Sequence, residues 1–71
     1  MTTENHIAFK VTNEKIEQRK AFSFDELQDS ILDRGGILRI SPDYSIGEYV
    51  VELEEDGIIK FDPNTKKFNI L

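Results

Sequence analysis

The sequence has no cysteine and no tryptophan, and only one histidine and two prolines among its 71 residues. Without cysteine the chain can form neither a disulfide nor a thiolate metal site, and this absence fits a reducing compartment. The longest unbroken run of apolar residues is three, so we expect no membrane span. The amino-terminal residues also lack the basic flank and apolar run of a signal peptide. We therefore expect a cytoplasmic protein.

Groups that could carry catalysis are scarce as well. His6 lies near the amino terminus, and no nucleophile with a suitably placed base accompanies it. A solvent-exposed or strand-edge position explains His6 better than a role as general base or metal ligand. The sequence has no His/Cys cluster for zinc, no calcium-loop spacing and no glycine-rich phosphate loop. We expect no enzymatic activity, no metal and no cofactor.

The residues that are present suit one small folded domain. Apolar residues make up 38% of the chain and include five phenylalanines, which is enough for a packed core and argues against a wholly disordered chain. We expect residues 1–71 to form a single α+β domain, with the polar residues 1–5 disordered.

The first clear helix is predicted over residues 23–34. Ser23 followed by Glu26 is a capping box, which satisfies free N–H groups at a helix start. Gly35 and Gly36 end the helix, and we assign both to capping alone. The apolar face of this helix comprises Phe24, Leu27 and Ile31, with Leu32 beside them.

A second clear helix is predicted over residues 45–56. Ser45 and Glu48 form a second capping box, and Gly57 is the expected carboxy-terminal cap. Gly47, in the first turn, either lets a partner approach the backbone or is simply tolerated near a helix start. The apolar face consists of Ile46, Tyr49, Val50 and Leu53.

The carboxy-terminal residues 58–71 are typical of a β-hairpin. Two alternating apolar runs flank "DPNT", where Pro63 presets the backbone dihedral for a type I turn. Each strand then contributes two apolar residues to one face: Ile59 and Phe61, and Phe68 and Ile70. Between the two helices, "ILRI" predicts a brief strand and "SPDY" a turn.

Residues 6–22 allow two interpretations. Ile7, Phe9 and Val11 alternate as in a half-buried strand, which favours an amino-terminal hairpin. Alternatively, residues 13–21 form a short helix whose acidic residues come first and basic residues last, in the order that the helix dipole favours.

Residues 22–71, "FSFDEL…SIGEYVVELEEDGIIKFDPNTKKFNIL", resemble the winged-helix family. The segment "YVVELEEDGII" carries most of the resemblance, because a helix must dock its apolar face, stop at glycine and lead directly into a hairpin. The resemblance implies a second helix, a third helix and a two-stranded wing, with residues 13–21 as the first helix. The ten-residue connection from Gly35 to Tyr44 is longer than the tight turn of a simple helix-turn-helix. The alternative fold is another small α+β domain with an amino-terminal hairpin.

In a winged helix of the usual type, the outward face of the third helix would enter the DNA major groove. Here residues 45–57 carry five acidic residues and no basic one, within a net charge of −5. At 100° per residue the outward face comprises Glu48, Val51, Glu52 and Glu55, which would repel the phosphates that dominate DNA affinity. This face is either a solvated acidic surface or a partner-binding ridge with Val51 at its centre.

The basic residues that could instead contact phosphates are Arg39, Lys60, Lys66 and Lys67. The lysines of the hairpin equally suit protection of an exposed strand edge. Our favoured hypothesis is a non-catalytic winged-helix-like interaction module that binds a protein with a basic surface through the acidic third helix. One alternative is a DNA-binding transcriptional regulator that contacts phosphates through the wing lysines. The other is an acidic DNA-mimic inhibitor. A homodimer formed through residues 66–71 is also possible.

Overall fold

The computed structural model describes residues 3–71, and side chains from Ile7 onward. This part of the chain forms three helices and four short strands. They are α1 (Thr3–Glu17), α2 (Phe24–Asp33), β1 (Arg39–Ser41), β2 (Tyr44–Ser45), α3 (Ile46–Glu55), β3 (Ile59–Asp62) and β4 (Lys67–Ile70). The strands form two antiparallel hairpins, β1-β2 and β3-β4. The α+β class is confirmed, as are the two predicted helices and the carboxy-terminal hairpin.

The amino-terminal segment is helical, so the predicted amino-terminal hairpin over residues 6–22 is wrong. The helical alternative over residues 13–21 is closer, but α1 begins earlier and ends at Glu17. Ala8, Val11 and Thr12 are buried at helical spacing, and the Thr12 hydroxyl donates to the Ala8 carbonyl at 2.9 Å. A buried hydroxyl satisfied within its own helix removes the usual cost of burying a polar group.

The predicted disorder of residues 1–5 lies only partly within the described part of the chain, which includes the backbone of residues 3–5. Residues 1–2 are not described at all, and the side chains of residues 3–6 are not described either. This expectation stays a prediction.

The core is one cluster of buried apolar side chains from all three helices, from the segment between α1 and α2, and from β3. Because every helix contributes to the same cluster, the apolar faces predicted for α2 and α3 both point inward. The cluster comprises Ala8, Val11, Phe22, Leu27, Ile31, Ile46, Val50, Leu53 and Ile59.

α2 begins as the capping box predicts, because the Ser23 hydroxyl accepts a hydrogen bond from the Glu26 amide at 3.1 Å. It ends in a Schellman motif, with Gly35 at φ 82° and the Gly36 amide donating to the Ile31 carbonyl at 2.9 Å. One predicted apolar residue departs from the pattern: Leu32 is 54% exposed.

Gly36 has a role beyond capping α2. The prediction that Gly35 and Gly36 serve capping alone is therefore wrong for Gly36. A Cβ atom on Gly36 would lie 2.8 Å from Cγ2 of Ile7 and 2.9 Å from Cγ2 of Ile31. Real Cβ atoms essentially never come this close to another heavy atom. Gly36 therefore permits the close approach of α1 to the end of α2.

The start of α3 differs from the prediction. The Ser45 side chain makes no capping hydrogen bond, so the second capping box is wrong. Ser45 ends β2 instead, and the amide of Ile46 donates to the Leu38 carbonyl at 2.8 Å. The end of α3 is as predicted, because Gly57 adopts φ 77° and the Ile58 amide donates to the Leu53 carbonyl at 3.0 Å.

The long connection between α2 and α3 is filled by the β1-β2 hairpin. The predicted brief strand and turn are both present, with Arg39 opposite Ser45 and Ser41 opposite Tyr44. The returning strand β2 is only two residues long and leads directly into α3. This hairpin therefore takes the place of the tight turn of a simple helix-turn-helix.

The carboxy-terminal hairpin pairs Ile59 with Ile70 and Phe61 with Phe68, as the predicted shared faces require. Apart from its pairing with Phe61 on β3, Phe68 forms an isolated antiparallel bridge with Phe22. Two backbone hydrogen bonds join these residues: the Phe22 amide donates to the Phe68 carbonyl at 3.1 Å, and the Phe68 amide donates to the Phe22 carbonyl at 2.7 Å. At Phe68, β4 thus has a partner on both sides, whereas β3 keeps a free edge in this sheet. The homodimer through residues 66–71 stays a prediction.

Candidate functional site

The outward face of α3 brings together the four residues predicted to bind a partner. All four are exposed, and Val51 is 52% exposed. Together with Tyr44, Ser45 and Gly47 they line one groove of about 520 Å³, hereafter the acidic groove. The predicted residues in it are Glu48, Val51, Glu52 and Glu55.

Tyr44 is a member of this groove that the sequence analysis missed. β2 places it beside α3, where its hydroxyl donates a hydrogen bond to the Glu52 carboxylate. Burial, and then this hydrogen bond to an anion, raise the pKa of Tyr44 to about 12. An aromatic residue just ahead of the acidic helix is the only signal that the sequence offered for it.

Another acidic residue of α3, Glu54, has a structural contact. Its carboxylate accepts a hydrogen bond from the Phe61 amide at 3.0 Å. That amide lies on the free edge of β3, where an unpaired N–H would otherwise invite another strand. Glu54 therefore caps the free edge of the β3-β4 hairpin.

A second cavity adjoins the acidic groove on the side of the β3-β4 hairpin. It measures about 400 Å³ and lies between the start of α2, α3 and the β3-β4 hairpin. Its apolar wall consists of Phe24, Gly47, Val50, Val51, Phe61 and Phe68, with Ser23, Asp25 and Lys66 completing the lining. We call it the apolar cleft. Because three separate elements build it, no local sequence pattern could have indicated it.

Two residues connect these cavities. Gly47 and Val51 line both the acidic groove and the apolar cleft, so the two form one continuous surface across α3. The wall formed by the β3-β4 hairpin is aromatic: Phe61 is 40% exposed and its ring packs edge-on against Phe68, with ring centroids 5.2 Å apart. Phe68 in turn contacts the buried Phe22, so this wall is anchored in the core.

The four candidate phosphate-binding residues are divided between the two hairpins. Lys67 lies 3.3 Å from a carboxylate oxygen of Glu26, and Arg39 donates to the Pro42 carbonyl at 2.9 Å. Lys66 occupies the turn between β3 and β4 at φ 60° and lines the apolar cleft, while Lys60 is exposed on β3. Two of the four thus have partners within the molecule.

From residue 7 onward, where side chains are described, no group of three or more His, Cys, Asp and Glu residues is placed to hold a metal ion. The side chain of His6, considered above, lies outside this part of the chain. Over the same described residues, none of the helices combines the length and apolarity that crossing a bilayer requires.

Comparison of the chain with protein-family models, with curated proteins and with solved structures found no significant match.

Proposed function

We propose that this chain is a non-catalytic winged-helix-like module that binds a protein partner with a basic surface through the outward face of α3. The winged-helix part of the proposal is supported by the succession α1, α2, α3 and a two-stranded wing. The bridge between Phe22 and β4 supports it further, because it ties the segment between α1 and α2 to that wing.

The observation that carries the proposal is the exposure of Val51 in the middle of an otherwise charged face. A surface whose only task is solubility needs charge but no apolar centre. Protein interfaces combine the two, with an apolar centre that loses its water and a polar rim. Val51, flanked by Glu48, Glu52 and Glu55, has this composition on one helical face.

The negative charge around Val51 limits which kind of partner this face can bind. The acidic groove contains three carboxylates, and no lysine or arginine lines it. Such a face attracts a basic protein surface and accelerates its association, whereas it repels nucleic-acid phosphates. The DNA-binding alternative has less support, because two of its four basic residues are already occupied by intramolecular contacts.

Affinity capture from native lysate, with and without nuclease, tests the proposal. We expect the same protein to be recovered under both conditions, because the contact does not depend on nucleic acid. Recovery of partners only without nuclease, together with salt-sensitive binding to duplex DNA, would support the DNA-binding alternative instead. If a captured protein also binds nucleic acid, competition between DNA and this chain for the isolated protein distinguishes the DNA mimic from simple bridging.

A further inference from the structure

The apolar cleft gives the proposed partner a more definite chemistry. We infer that it receives an apolar side chain from a basic amphipathic helix of the partner, whose lysines and arginines lie along the acidic groove. This inference rests on the proposed function, and it adds both the anchor site and the kind of segment that fills it.

The cleft is preformed and of suitable size for such an anchor. Its volume of about 400 Å³ lies toward the lower end of the roughly 300–1,000 Å³ typical of ligand sites. Phe61 is held by its ring contact with Phe68, so one wall is fixed before any partner arrives. Gly47 offers no side chain, and a Cβ atom there would already contact Cζ of Phe24 at 3.5 Å. The ring of Phe24 therefore forms a wall of the cleft beside the bare backbone of Gly47.

The charge next to the cleft selects a basic segment. Val51 lines both cavities, so an anchor that packs against Val51 lies beside the acidic groove. When a helix binds in a groove, its apolar face supplies the anchors, and complementary charge beside them speeds association and fixes the register.

The spacing of the carboxylates favours a helical partner segment over an extended one. Glu48, Glu52 and Glu55 follow one another at four and three residues, about one helical turn of 5.4 Å apart. A second helix repeats its side chains at the same interval, so its basic residues can meet the carboxylates in register. An extended strand, which rises about 3.3 Å per residue and repeats every second residue, does not match this spacing as well.

The probe is a random library of displayed peptides of about 20 residues, long enough to form a helix. Selection on the wild-type protein is done at roughly 0.15 M ionic strength, where attraction between exposed charges is screened beyond about 8 Å. We expect enrichment of peptides with lysine or arginine at intervals of three and four residues beside a leucine, methionine or phenylalanine. Enrichment without this pattern, or no enrichment, overturns the inference.

The best peptide is then measured against matched pairs of variants. Val51→Ser should weaken binding about tenfold, whereas Leu32→Ser should not, although Leu32 on α2 is similarly exposed, 54% against 52%. In the second pair, Phe61→Ser should also weaken binding, whereas the control Ile37→Ser should not, although the two residues are similarly exposed, 40% against 41%. Thermal melts identify any variant that loses its fold, and the other pair then decides the result.

The pattern of losses separates the inference from the proposed function, because Phe61 lines only the apolar cleft whereas Val51 lines both cavities. Binding that depends on Glu48, Glu55 and Val51 but is unaffected by Phe61→Ser overturns the cleft and leaves the proposed function standing. Binding that depends on neither the carboxylates nor Val51 contradicts both. Loss of binding in Val51→Ser and in Phe61→Ser, with full binding in Leu32→Ser and Ile37→Ser, supports both.

Discussion

At the scale of single residues, neighbouring acids of α3 have different tasks. The Glu54 carboxylate caps the free edge of β3, and the Glu52 carboxylate accepts a hydrogen bond from the Tyr44 hydroxyl. The side chains of Glu48 and Glu55 make no hydrogen bond to any other described residue. Their sequence context gives no sign of this division, because all four lie in one acidic run. Only the packing of β2 and β3 against the helix distinguishes them.

The Tyr44 contact predicts a pH dependence. The pKa of Tyr44 in the folded protein is raised to about 12 from its usual 10.0, so its neutral form favours folding. The stabilisation is therefore complete below pH 10 and is lost as the pH rises through 12. In a Tyr49→Phe background, absorbance of tyrosinate should show this titration. Glu52→Gln should lower the pKa but leave it above 10, because burial remains the larger cause; an unchanged titration would contradict the contact.

Gly36 gives a second prediction at this scale. Gly36→Ala should lower the free energy of unfolding by about 1–3 kcal/mol, because the new methyl group meets Ile7 and Ile31 at less than 3 Å. Chemical denaturation measures the change. Gly47→Ala is the matched control: its nearest contact is an ordinary 3.5 Å, so it should be neutral or stabilise α3 by up to about 1 kcal/mol. Equal effects of both substitutions would be inconsistent with the close approach at Gly36.

At the scale of elements, local signals identified the helix ends that local contacts determine. The Ser23 cap and the glycines at 35 and 57 work through hydrogen bonds within a few residues, and all three were predictable. The start of α3 was not, because Ser45 lies in β2 and Leu38 supplies the acceptor for Ile46. The amino-terminal segment stayed open between a hairpin and a short helix for a related reason. The helical face of α1 is completed by packing against other elements, and its alternating apolar residues imitate a strand.

The hydrogen bond from the Phe61 amide to Glu54 predicts a change in amide exchange that is confined to the free edge of β3. Replacing Glu54 with alanine removes the acceptor of the Phe61 amide, so its hydrogen exchange should accelerate about fivefold, the equivalent of about 1 kcal/mol. Exchange followed by NMR measures this for each amide. Glu55→Ala, which removes the same charge from the adjacent position, should leave the Phe61 amide unchanged. Acceleration by both variants would point to a general charge effect.

At the scale of the whole molecule, the sequence predicted the class of fold and the acidic face but not the site as a unit. The face follows from helical periodicity alone, and the structure brings its four residues into one groove. The apolar cleft forms where the start of α2, α3 and the β3-β4 hairpin meet, and that meeting depends on how the core packs. Sequence periodicity specifies which side of a helix faces out; it does not specify what lies next to that side.

The central claim is that the partner binds to the acidic face of α3 and is not attracted merely by the net negative charge of the whole protein. Charge reversal at two matched places tests it. Glu48→Lys with Glu55→Lys changes the acidic groove while leaving the Tyr44–Glu52 hydrogen bond intact. Asp29→Lys with Asp33→Lys makes the same change in net charge on exposed positions of α2.

The measurement is the amount of partner captured from nuclease-treated lysate by the wild-type protein and by each double variant, with thermal melts confirming that both variants fold. We predict that the α3 variant loses the partner and that the α2 variant retains it. Equal retention by both, or equal loss from both, would contradict the account.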